Sequence, residues 1–154
     1  MNDRSQTPEQ FKALLAEFCA SVQMPLDDDA LGIEFEADGH LVLVVPDPRD
    51  VERMLVEVSV MRLDNASQGL LTALHRLNHQ SRLEHDWVIS VDPADQLSPH
   101  TQRQIANIHA GELQALLAEG IERARALQDI GQALISSSPA FPVDFSPILT
   151  QGFH

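Results

Sequence analysis

Alternation of apolar and polar residues over positions 31–45 predicts a β-hairpin. Two apolar-rich runs flank Asp38-Gly39, a pair that favours the type I′ turn because both central residues of that turn need a positive φ. A two-residue loop also fixes the register of the strands. The expected pairs are Ala37 with His40, Glu36 with Leu41, Phe35 with Val42, Glu34 with Leu43 and Ile33 with Val44.

This register gives the hairpin one apolar face and one mixed face, because paired residues point to the same side of a sheet. The apolar face carries Leu31, Ile33, Phe35, Val42 and Val44. The mixed face carries Glu34 and Glu36 together with Leu41, Leu43 and Val45. An antiparallel sheet covered on one side is normally polar on the other. We therefore interpret the apolar positions of the mixed face as a binding surface.

A third strand over 53–63 is expected to extend both faces. Val56, Val58 and Val60 alternate onto the apolar face, whereas the mixed face receives Leu55, Glu57, Ser59, Met61 and Leu63. Leu41, Leu43, Val45, Leu55, Met61 and Leu63 are thus the candidate binding residues of the sheet.

Two helices flank these strands. The first is predicted over 8–23, where Thr7 and Gln10 form a capping box and apolar residues follow helical spacing. Its apolar stripe consists of Phe11, Leu14, Leu15, Phe18, Cys19 and Val22. The second helix, capped by Asn65 or Ser67, runs to about Leu83 and carries a narrow stripe of Leu70, Leu74 and Leu77. Such a stripe suits contact with one neighbour, either the chain's own sheet or a second copy of the chain.

The rest of the chain predicts two more strands, a helix and a tail. Strands are expected at 87–91 and, with a diluted pattern, at 101–108, and a helix from 111 to at least 127. The Pro-rich apolar tail at 136–154 either packs on the domain formed by 1–135 or binds a partner. The order α-β-β-β-α-β-β-α predicts an α+β fold in which helices back an antiparallel sheet.

Composition narrows the classes of function. A formal net charge of −13 argues against nucleic acid or an anionic membrane as the main partner, because both are polyanions. The sequence has no long apolar run, so we expect no membrane insertion. The single Cys19 excludes an intrachain disulfide, and the absence of an apolar leader predicts a cytoplasmic chain.

Catalytic chemistry finds little support in the sequence. His75 and His79 are spaced to share a metal on one helix face, but Arg76 stands where a zinc hydrolase of that type needs its general base. A metal-dependent hydrolase using these histidines is therefore the weaker alternative, and we expect no catalysis and no cofactor. A regulatory or scaffold domain of α+β fold remains a second alternative.

The sequence resembles the class I chaperones of bacterial type III secretion, the CesT or Tir-chaperone family. The resemblance covers roughly residues 7–130 and rests on the helix-1 segment 11–18, the hairpin at 33–45, the helix-2 segment 69–78 and the helix-3 segment 111–117. It implies a cytoplasmic bacterial homodimer that binds the N-terminal segment of one or more secreted effectors, with the secretion ATPase as a further partner.

The resemblance also implies positions for these contacts. Grooves of the family involve helix 1, which adds Phe11 and Leu15 to the candidate effector-binding residues. Dimers of the family use the second helix and the adjoining strand, which correspond here to Leu70, Leu74, Leu77 and Trp87.

Overall fold

The computed structural model describes residues 7–63, 68–84 and 86–136, and for 68–70, 81–84 and 134–136 it describes the backbone alone. The predicted caps Asn65 and Ser67 and the tail from 137 onward lie outside this part of the chain. The elements are α1 (Thr7–Ser21), β1 (Ile33–Ala37), β2 (His40–Asp47), β3 (Asp50–Val58), β4 (Met61–Arg62), α2 (Gln68–Glu84), β5 (Trp87–Val91), β6 (Gln96–Gln104), a 3₁₀ turn (Ile105–Asn107) and α3 (Ala110–Ser136).

Helix α1 follows its predicted stripe. Phe11, Leu14, Leu15, Phe18 and Cys19 are all buried, whereas Val22, beyond the end of the helix, is 40% exposed. The helix ends where Gln23 adopts a left-handed conformation with φ of 56°. The backbone N–H of Met24 then donates to the carbonyl of Cys19 at 2.9 Å, which satisfies one of the last helical carbonyls.

The β1–β2 hairpin has the predicted turn and register. Asp38 and Gly39 have φ of 52° and 80°, as a type I′ turn requires, and all five expected pairs are present. The strands join one antiparallel sheet in which β1, β2, β3 and β6 are successive neighbours. Strand β6 pairs with β3 and the short β4 along one side and with β5 along the other.

The core lies between the inner face of this sheet and helices α1 and α3. Val42, Val44, Val56 and Val58 have no exposed surface, and Ile33 and Met54 continue the same buried face. Helix α3 lies close to the sheet at Gly120, where an added Cβ would be 2.6 Å from Cη2 of Trp87 and 3.0 Å from Cγ2 of Val58. The α+β fold class is confirmed, with helices and strands in the order α-β-β-β-β-α-β-β-α.

Two predicted strands and the start of one helix have different bounds in the structure. The third strand does not run through 53–63 but stops at Val58. The pairing with β6 then slips by one residue, because Glu57 pairs with His100 and Met61 pairs with Leu97, which leaves three residues of this segment opposite two of β6. The fifth predicted strand begins earlier, at Gln96, and ends at Gln104. Helix α3 begins one residue earlier and continues to Ser136.

Candidate functional site

The outer face of the sheet, opposite α1 and α3, exposes a run of aliphatic side chains. Leu43 pairs with Glu57, and Val45 pairs with Leu55, so the side chains of β2 and β3 are neighbours on this face. Leu41 is 43% exposed, and Leu43, Val45 and Leu55 are half-buried. We refer to Leu41, Leu43, Val45 and Leu55 as the outer apolar patch.

Strand β1 forms the edge of the sheet beside this patch. In a hairpin with a two-residue loop, the two residues that flank the loop exchange both backbone hydrogen bonds. The N–H and C=O groups of Ala37, and of Phe35 and Ile33 at alternate positions, therefore point toward β2. The N–H and C=O groups of Glu34 and Glu36 therefore point away from the sheet, and within the described part of the chain no strand pairs with them. Such an edge can accept an extended segment by strand addition.

Two predicted members of the sheet surface lie elsewhere. Met61 was expected on the outer face, but its sulfur lies on the α3 side, 2.6 Å from where a Cβ of Gly131 would be. Leu63 is 1% exposed and belongs to the core. The reason is the extra residue between Glu57 and Met61, because a one-residue slip in register turns the side chains that follow to the other face of the sheet.

The two helix α1 residues differ in their surroundings. Phe11 is 4% exposed and lies in the core between α1 and the sheet. Leu15 is also buried, but it forms part of the wall of a groove of about 380 Å³ between α1 and the loop that follows it. Cys19 lines the same groove, and burial raises the pKa of its thiol.

Of the residues predicted for a dimer interface, the three with described side chains are buried within the single chain. Leu74 and Leu77 are 5% and 2% exposed, so this stripe packs against the chain itself, one of the two neighbours that the sequence left open. Trp87 has no exposed surface and lies 5.6 Å from the guanidinium carbon of Arg123 on α3. Leu70 lies outside the described side chains, whereas Leu71, at 41% exposed, is the described leucine that α2 presents to solvent.

Helix α2 also protects the β5 edge of the sheet. The side-chain oxygen of Asn78 accepts a hydrogen bond from the backbone N–H of Ile89 at 2.9 Å. A polar group of the edge strand is thus satisfied by the helix, which makes this edge a poorer template for strand addition than β1.

The candidate metal ligands His75 and His79 both lie on the exposed side of α2. Across the residues that the structure describes, no group of three or more His, Cys, Asp or Glu side chains is placed to hold a metal ion. Within the same residues, no helix is both long enough and apolar enough to cross a membrane.

A second concave region, beside the outer apolar patch at the end of the sheet where Arg53 pairs with Gln104, was not predicted from the sequence. It has a volume of about 800 Å³ and is lined by Arg49, Arg53, Asp86, Val88, His100, Thr101, Gln102, Arg103 and Gln104. We refer to it as the arginine groove. It is continuous with the outer apolar patch, because Leu55 pairs with Gln102 and Arg53 pairs with Gln104. The sequence signal was weak, since its arginines come from segments about 50 residues apart.

Burial and a neighbouring charge shift the pKa of His100, a residue that lines this groove, in opposite directions. The pKa of His100 is lowered because burial disfavours the imidazolium, and the neighbouring carboxylate of Glu57 partly opposes the shift. Its Nδ1 lies 3.2 Å from the Oγ atom of Ser90.

No known protein-family model matches this sequence, and no curated protein matches it either. Solved structures do match. A chain of the ExsC–ExsE complex is 22% identical with a TM-score of 0.67, and the match covers 79% of this chain and 93% of that one. A chain of the HopA1–SchA chaperone–effector complex is 16% identical with a TM-score of 0.67, covering 80% and 97%.

A third match is the Yersinia pestis type III secretion chaperone SycH in complex with a stable fragment of YscM2. It is 20% identical with a TM-score of 0.59, and the match covers 76% of this chain and 98% of that one. Since the matches cover nearly the whole length of the other chains, the likeness extends to the complete α+β domain. The chain therefore has the fold found in these complexes, a fold that type III secretion chaperones use.

Proposed function

We propose that this protein is a type III secretion chaperone that binds the N-terminal segment of one or more secreted effectors in the bacterial cytoplasm. In this function the chain keeps the segment competent for export and catalyses no reaction. The observation that carries the proposal is the outer apolar patch next to the unpaired β1 edge. The likeness to chains from chaperone–effector complexes supports it.

The mechanism is burial of apolar effector side chains against the patch, combined with backbone hydrogen bonds to Glu34 and Glu36. Strand addition supplies affinity through the main chain, and the patch selects apolar side chains at alternate positions. An interface of ordinary size buries about 1,600 Å² in total, so the segment has to extend beyond these residues. The groove beside α1, with Leu15 in its wall, is a second contact region for the same segment.

Leu43→Asp tests the proposal, because the change places a carboxylate in the centre of the patch. The effector is first identified by co-purification from the source bacterium and mass spectrometry, and its N-terminal fragment is then titrated by calorimetry. We expect binding to weaken at least tenfold, since an apolar contact is lost and a charge is desolvated (about 1.4 kcal/mol per factor of ten).

Leu31→Asp is the matched control, because Leu31 is 80% exposed and lies outside the patch. Both variants should unfold at the wild-type urea concentration. Unchanged binding by the Leu43 variant would contradict the proposal.

We also propose that the chain forms a homodimer and that the loaded complex docks on the secretion ATPase. With Leu74, Leu77 and Trp87 buried in the single chain, the exposed side of α2 around Leu71 is the surface that supports self-association. Leu71→Arg should convert a dimer to a monomer in light scattering, and a wild-type chain that is already monomeric would end this part of the proposal.

A further inference from the structure

The arginine groove is a local concentration of positive charge on an acidic protein. The chain has 10 Lys and Arg residues and 23 Asp and Glu residues, yet Arg49, Arg53 and Arg103 line the groove, with Asp86 as its acidic member. Arg103 contributes from the α3 side, because it pairs with buried Met54, whereas the register places Arg53 on the outer face. A concave surface lined by one sign of charge focuses its potential on the space inside it.

Within the described residues, these arginines do not form strong ion pairs. Arg53 meets Asp50 through Nε at 3.5 Å, in a contact where both side chains are nearly half exposed. Arg103 uses Nη1 to donate to Thr101 Oγ1 and to the carbonyl of Gln102. The carboxylate of Asp47 accepts hydrogen bonds from the Gln102 side chain and from the backbone N–H of Arg49, and among the described residues it forms no ion pair with an arginine of the groove.

We propose that the arginine groove binds acidic side chains of the same segment whose apolar side chains occupy the outer apolar patch. The inference rests on the proposed function and specifies the chemistry of its partner. Charge complementarity identifies an acidic protein segment as the occupant. A long polyanion such as nucleic acid suits the groove less well, because it would also meet the rest of a surface with a net charge of −13.

The geometry also predicts how many residues separate the acidic residue from the apolar residue in the bound segment. Leu43 pairs with Glu57 on β3, and Arg53 lies four residues further along the same strand, so Arg53 is one strand separation of about 4.8 Å across and about 13 Å along from Leu43, or about 14 Å in all. An extended chain advances about 3.3 Å per residue. An acidic residue is therefore expected about four residues from the apolar residue that occupies the patch.

Selection from a random library of displayed 12-residue peptides tests the inference even while the effector is unidentified. The baits are the wild type, an Arg49→Ser/Arg53→Ser double variant and an Arg125→Ser control. Arg125 is a suitable control because it is exposed and pairs with Asp38 at the hairpin turn, away from the groove. We expect wild type and control to enrich peptides with Asp or Glu about four residues from an apolar residue, and the double variant to enrich apolar peptides without that preference.

A selected peptide and its Asp→Asn or Glu→Gln form are then compared by fluorescence anisotropy. Exposed ion pairs contribute about 0.5–1 kcal/mol, so each acid replaced should weaken binding about two- to fivefold to wild type and have no effect with the double variant. Apolar peptides without an acid preference, or a preference that persists in the double variant, would overturn the inference and leave the proposed function standing.

Two other outcomes are also decisive. Acidic peptides without apolar residues, still bound by a Leu43→Asp variant, would support the groove and contradict the patch as part of the same site. A monomer formed by the double variant where the wild type is a dimer would show that the groove holds a second copy of the chain, which overturns the inference.

Discussion

The close approach of α3 to the sheet at Gly120 predicts opposite effects of two Gly→Ala changes in the same helix. At Gly120 an added Cβ would meet the ring of Trp87 at 2.6 Å and Val58 at 3.0 Å. Neither neighbour can retreat, since both have no exposed surface and Trp87 also stacks against Arg123. At Gly131 the added Cβ would meet the sulfur of Met61, the flexible end of a half-buried side chain.

The change in the free energy of unfolding of each variant is the sum of two opposing contributions, a gain in helix propensity and a cost in packing. Replacing Gly by Ala inside a helix stabilises it by about 0.5–1 kcal/mol. Inserting a methyl group into a closely packed core costs about 1–3 kcal/mol. At Gly120 the packing cost prevails, and we expect a net destabilisation of about 1–2 kcal/mol. At Gly131 the methionine moves aside, and we expect a change between zero and a stabilisation of about 1 kcal/mol.

Urea unfolding followed by circular dichroism measures both variants. With an m-value of about 2 kcal/mol/M, the midpoint of the Gly120→Ala variant should fall by about 0.5–1 M with an unchanged m-value. The midpoint of the Gly131→Ala variant should stay constant or rise. Equal midpoints for the two variants would refute the conclusion that the side chains packed against Gly120 cannot move aside, whereas the side chain packed against Gly131 can.

Two further predictions concern titratable groups. Burial raises the pKa of the Cys19 thiol, so Ellman's reagent should modify the native protein at least tenfold more slowly than the urea-unfolded chain, and equal rates would contradict its burial. The pKa of His100 is lowered on folding mainly by burial, so the unfolded chain binds the proton more readily. This makes its contribution to stability complete above the ordinary value of 6.5 and lost as the pH falls below it. We therefore expect a His100→Gln variant to lose less stability than wild type between about pH 7.5 and about pH 5.5, measured as urea midpoints. A parallel loss in both proteins would contradict the assignment.

The parts of the fold that the sequence predicted are those set by neighbours close in the chain. The hairpin register follows from the Asp38-Gly39 turn and from a period of two, and α1 follows from its cap and apolar spacing. Both depend on interactions within about 15 residues. The outer apolar patch was predicted for the same reason, since Leu41, Leu43 and Val45 are assigned to one face by the hairpin alone.

The errors arise where partners are distant in sequence. Nothing near Ser59 indicates that the pairing with β6 slips by one residue there, and Met61 and Leu63 were therefore assigned to the wrong side. Strand β6 also contains Pro99, although proline is unusual in a central strand. Pro99 is accommodated because its partner Ile89 directs its own N–H to Asn78, and because the pairing of β3 with β6 ends one residue away, at Glu57 and His100.

The site on the outer face combines an apolar surface with a positively charged one, and the two contribute differently. A net charge of −13 repels an acidic segment in the approach to the protein. At physiological ionic strength this repulsion is screened over about 8 Å, whereas side chains seated in the arginine groove contact their counter-charges directly. The groove therefore adds little to the encounter and acts on a segment that is already held. In the proposed function, burial against Leu43 and its neighbours supplies most of the affinity, and Arg49 and Arg53 select among the apolar segments that bind.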